Sequence, residues 1–122
     1  MAVVLHKENE PISNLGDGRD RVFLVGKTQT RSKQLAADVV TYAPNAQNKN
    51  HHHKSESFIY IIEGDCEMHI NGKMEKIGKE TMVYLDPGDW HWMKNVGKGK
   101  MVMLEAFAPD ADITPYYEEG KH

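Results

Sequence analysis

The chain has 122 residues and a mass of 13.9 kDa, enough for one domain and too few for two independent cores. Hydrophobic residues at 39% and charged residues at 27% give a globular balance, and a net charge of −3 with scattered Lys and Arg offers no basic face for nucleic acid. No apolar run approaches the roughly 18–20 residues of a membrane span, Met1 to Glu10 lacks a signal-peptide core, and the single cysteine, Cys66, excludes an internal disulfide, so a cytoplasmic protein without membrane or nucleic-acid partners is expected.

The first 20 residues read as an entry arm with turns at Gly16 and Gly18. Val22-Phe23-Leu24-Val25 is a short apolar run closed by Gly26, and Leu35 to Tyr42 is a second, ended by Ala43-Pro44-Asn45. Phe58 to Ile62, β-branched and aromatic, predicts a third strand that stops at Glu63-Gly64-Asp65. Cys66 to Ile70 alternates apolar and polar, the period of a half-buried strand. Asn71-Gly72 is a strong hairpin signal, from which Lys73 to Ile77 returns. Met82 to Leu85, His91 to Val96 and Met101 to Phe107 complete about eight strands. No window holds a helical period over three turns, and the best helical candidate is a weak turn in the C-terminal tail. Many short strands at close spacing predict an all-β sandwich or small barrel. The expected layout is one domain, with an arm over 1–20, a barrel over 21–108 and a tail over 109–122 that lies on the barrel or on a partner subunit.

Seven histidines are present, three of them consecutive at His51, His52 and His53. On an extended chain, residues i and i+2 point the same way, about 6.6–7 Å apart at Cα. His51 and His53 can therefore aim into one site while His52 faces away. His91, after the Pro87-Gly88 turn, can add a third imidazole from another strand, as a facial metal site requires. A terminal tag or a solvated loop would be the bland account of such a run, but this one is internal and lies between strand-like segments. His69 falls on the polar face of its strand, and His6 and His122 belong to the arms.

Residues 44 to 95 resemble the cupin superfamily. The first motif, G-x5-H-x-H-x3-E-x6-G, is represented by Asn45, His51, His53 and Gly64. The second, P-x-G-x2-H-x3-N, is represented by Asp86-Pro87-Gly88-Asp89-Trp90-His91 and Asn95. Asn45 stands for a glycine and is the next best residue for positive φ. Glu80 also stands for a glycine, and Asp86 for a proline. The position of the family's metal-binding glutamate is Ser57, with the carboxylate one place earlier at Glu56. A one-residue shift on a regular strand reverses the side chain, although a bulge before Phe58 could turn it back. Two site arrangements follow. In the favoured one the ligands are His51, His53 and His91 alone, similar to three-histidine thiol dioxygenases and diketone-cleaving cupins. In the other, a bulge restores Glu56 as a fourth ligand.

The resemblance implies a jelly-roll barrel (a double-stranded β-helix), a homodimer, and one divalent transition metal in the barrel mouth. Iron is the leading metal, with Ni, Mn, Zn or Cu also suited to imidazole. It further implies a dioxygenase-like enzyme for a small organic molecule. A non-catalytic ligand-binding or sensor protein is the alternative, as is an isomerase or lyase that uses the metal as a Lewis acid. Ser57, Tyr60, Cys66, Met93 and Met103 are the pocket candidates, with Tyr84, Met101 and Phe107 beside them. Trp90 and Trp92 alternate with His91 and should face away. Glu105, in an apolar strand, is either outward-facing or a partner for an imidazole N–H.

Overall fold

The computed structural model describes residues 2–109 and 113–117. The elements are a single 3-10 turn at Lys7–Asn9, then β1 (Ser13–Asn14), β2 (Arg19–Val25), β3 (Ala36–Tyr42), β4 (His51–His52), β5 (Glu56–Glu63), β6 (Asp65–Ile70), β7 (Lys73–Gly78), β8 (Met82–Leu85), β9 (His91–Asn95), β10 (Met101–Ala108) and β11 (Tyr116–Tyr117). They form two antiparallel sheets. One has the order β1-β2-β3-β10-β5-β8 and the other β11-β4-β9-β6-β7. Among the described residues there is no α-helix. The jelly roll and all eight expected strands are present. The helical turn expected in the tail falls partly outside the described residues, as does His122, and the described part of the tail forms β11.

Alternation builds the core. In β3 and β10, residues 36, 40, 42, 101, 103 and 107 are buried. Val40, Tyr42, Ile59, Ile61, Cys66, Met68, Leu85, Met93, Met101 and Met103 form one apolar cluster between the sheets. Burying such side chains contributes about 1.5–3 kcal/mol each. Turns close the ladders where the chain permits positive φ. Asn45 adopts φ 68° and Glu80 φ 65°, each at a position where the motif has glycine. Gly64 adopts φ 99°, and a Cβ there would lie 2.8 Å from the Lys100 carbonyl oxygen and the Met101 Cα.

Two terminal segments depart from the expected layout. β2 begins at Arg19, two residues before the expected barrel boundary, and β1 hairpins onto it. β11 adds a strand to the five-stranded sheet, pairing Tyr117 with His51 and Tyr116 with His52.

Candidate metal centre

His51 and His91 are register partners across β4 and β9, so their imidazoles meet side by side with centroids 4.2 Å apart. His53, two residues after His51, returns to the same face, 4.9 Å from His51 and 5.6 Å from His91. One nitrogen from each ring lies within 4.8 Å of the others, and all three residues are buried. His52 points outward, between Trp90 at 4.6 Å and the stacked ring of Tyr116 at 5.2 Å. Trp92 also faces away and stacks on His69 at 3.7 Å.

The donor chemistry suits a metal ion. His51 Nδ1–H donates to the Lys49 carbonyl at 2.6 Å, and His91 Nδ1–H donates to the Asp89 carbonyl at 2.9 Å. Those bonds select the tautomer that leaves each Nε2 lone pair open. His53 Nδ1 is buried without a hydrogen-bond partner, while the backbone carbonyls of Ile113 and Thr114 lie against its ring. Burial, with His91 next to it, pushes His51 down to about 3 and His53 to about 4, and burial also lowers His91. Neutral imidazoles are the form that binds metal.

Glu56 is exposed on the outer face of β5, where its carboxylate accepts from the Tyr84 hydroxyl at 3.3 Å. β5 pairs without interruption from Glu56 through Ile61 with β10 and from Ser57 through Tyr60 with β8. The bulge that would make Glu56 a fourth ligand is therefore absent. Ser57 takes the inward direction and is buried.

A cavity of about 670 Å³ lies beside His51 and His53, within the usual size for small-molecule sites. Of the pocket candidates, Met103 lines it, and so does Phe107, 4.8 Å from His53. The others need correction. Tyr60 sits on the outer face of β5, as its even-numbered position requires. Cys66, Met93 and Met101 are core residues without a cavity surface, and Ser57 is buried outside the lining. Tyr84 is 51% exposed on the outer face. Burial pushes the Cys66 thiol up to about 12, so it is inert at neutral pH.

Several lining residues were missed in the sequence. Arg19 and Arg21 enter the cavity from β2, and Tyr42 and Tyr117 contribute two aromatic rings. Glu105 faces inward and lines the cavity, opposite Asp38 in the β3–β10 register. The His91 Nδ1–H is already bonded to Asp89, so Glu105 is not its acceptor. Asp38 is fully buried, and burial together with the Glu105 charge raises its carboxyl well above the usual range, against the pull of Arg21. Charged residues at inward positions hid the alternation of β2, although Arg19, Arg21, Phe23 and Val25 do share one face.

The sequence profile of the family described as Cupin domain matches residues 38–107. No curated protein matches the chain. Among solved structures, an RmlC-like cupin from Shewanella frigidimarina superposes with a TM-score of 0.79 at 17% identity, covering 92% of this chain and 95% of that one. The polyketide cyclase RemF from Streptomyces resistomycificus gives 0.81 at 15% identity, over 96% and 85% of the two chains. A predicted oxalate decarboxylase from Thermotoga maritima gives 0.79 at 18% identity, over 88% and 99%. At such identities the likeness speaks for the fold.

Proposed function

This chain belongs to the cupin family, and we propose that it is a metal-dependent enzyme that holds one divalent transition metal on His51, His53 and His91 and acts on a small organic molecule in the adjoining cavity. The observation that carries this reading is the convergence of three buried imidazoles on one point beside a cavity. Solved structures of the same fold include proteins named as a polyketide cyclase and a predicted oxalate decarboxylase, so the fold can carry catalysis.

When bound, the ion would supply Lewis acidity and open positions at which a chelating substrate and O₂ can meet, which favours a dioxygenase-like reaction with iron as the leading metal. The chain's own residues do the rest. The Lys49 and Asp89 carbonyls hold two imidazoles in their ligating tautomer. Phe107 and Met103 form an apolar wall that limits water near His53. Glu56, turned outward, contributes no negative charge to the site, so a divalent ion keeps its full pull on an anionic ligand.

Metal analysis with oxygen uptake tests the reading. Purified protein should bind about one Fe(II) per chain and consume O₂ with a member of a diketone and thiol panel. Protein that takes up no divalent transition metal at neutral pH would overturn it.

A further inference from the structure

Two like charges share one face of β2. Arg19 and Arg21 are two residues apart on that strand, about 6.6–7 Å at Cα, and both line the cavity. Each has its own aspartate. Arg19 donates from Nε and Nη2 to Asp17 at 2.8–3.0 Å, with its guanidinium over the Tyr42 ring at 5.5 Å. Arg21 Nε lies 3.1 Å from Asp38 Oδ2, and its guanidinium sits over Phe23 at 5.2 Å. Their side chains are only 16% and 27% exposed.

Holding two partly desolvated guanidiniums side by side is costly unless something compensates. Asp17 neutralises Arg19 and fixes its plane, whereas Asp38 lies against Arg21 Nε without a hydrogen bond, so each aspartate meets only one edge of a fork that carries five N–H donors. Lys27 and Lys49 also line the cavity, and Glu105 is the one acid of its lining among the described residues. Near the arginines the surface turns apolar, with Phe23, Val25 and Ala36. The lining thus combines two arginines from β2, an apolar patch, and two of the three imidazoles, His51 and His53.

We propose that Arg19 and Arg21 form a clamp for a carboxylate, so that the ligand of this cavity is a small organic acid whose anionic end lies on β2 and whose remaining polar group faces the histidines. This rests on the reading of the cavity as the ligand site. The clamp itself is built from β2 and its aspartates and does not depend on an ion. Planar guanidinium edges match a carboxylate in two parallel hydrogen bonds, which a neutral amide cannot reproduce.

Calorimetric titration with succinate and with its neutral diamide tests the proposal, on protein with and without Zn(II). Succinate should bind the wild-type protein at least about tenfold more tightly than the diamide. Arg19→Gln and Arg21→Gln should each weaken succinate by about tenfold or more, with Arg21→Lys intermediate, should weaken the diamide much less, and should leave zinc stoichiometry unchanged. Should Arg21→Gln unfold because Asp38 is left unpaired, Arg19→Gln and the wild-type comparison still decide. Arginine-dependent succinate binding in a protein that takes up no zinc would keep the clamp and remove the metal reading. Equal affinity for succinate and diamide, or succinate binding indifferent to both arginines, would overturn the clamp.

Discussion

At the scale of single residues, the site depends on imidazoles kept neutral by burial. Unfolded histidines titrate near 6.5, whereas His51 and His53 resist protonation until about 3 and 4. Between those values the unfolded chain binds protons that the folded chain refuses, so the stability of the metal-free protein rises with pH and is lost as pH falls below about 6.5. Asp38 has the opposite sign. Its raised carboxyl keeps a proton in the folded state above about 3.8, so that contribution is present at low pH and fades as pH rises. Urea midpoints of the metal-free protein should therefore fall between pH 7 and 4.5, and should fall more steeply in Asp38→Asn, where the opposing slope is gone. A flat profile in both proteins would contradict neutral buried imidazoles. Glu56→Ala should leave metal stoichiometry unchanged, because that carboxylate faces Tyr84 on the outside, and a large loss measured by metal analysis would restore it as a ligand.

At the scale of elements, what was legible depended on length. Strands of four or more residues announced themselves through apolar runs, period-2 patterning or turn residues, the Asn71-Gly72 hairpin most clearly, although charged inward positions hid the first part of β2. β1, β4 and β11 are two residues each, too short to carry a period. The parity of β5 was legible from Ser57 and Glu56, and it placed Glu56 outside. The cavity lining was not, because Cys66, Met93 and Met103 look alike in sequence, and only the closing of the sheets decides which has a free surface. The turns give sharper expectations. Glu80 holds φ 65° with a Cβ, so Glu80→Gly should stabilise the fold by about 1 kcal/mol in chemical denaturation. Gly64→Ala should destabilise it by about 2 kcal/mol or more, since its Cβ would meet backbone at 2.8 Å in a left-handed conformation. Tyr116→Ala removes the ring stacked on His52 and should speed hydrogen exchange in the β4–β11 ladder, leaving β6–β7 exchange as it was.

At the scale of the whole molecule, two sheets of modest size bring together three imidazoles, two arginines and a buried acid pair, of which His51, His53, Arg19, Arg21 and Glu105 line one cavity. Charged groups inside a barrel cost stability unless they are paired, and here Arg21 lies against Asp38, with Glu105 opposite it in the β3–β10 register. An ion that binds the folded chain should therefore stabilise it. At a free concentration 100 times its dissociation constant the gain is about 2.7 kcal/mol, visible as a rise in melting temperature that a chelator reverses. The most direct measurement is metal content and affinity for the wild-type protein beside His51→Ala and His91→Ala, each checked for its fold by circular dichroism. The expected result is one divalent transition metal per wild-type chain and none in either folded variant. A folded variant that still binds the metal at wild-type affinity, or a wild-type chain that binds none, would contradict the three-histidine centre.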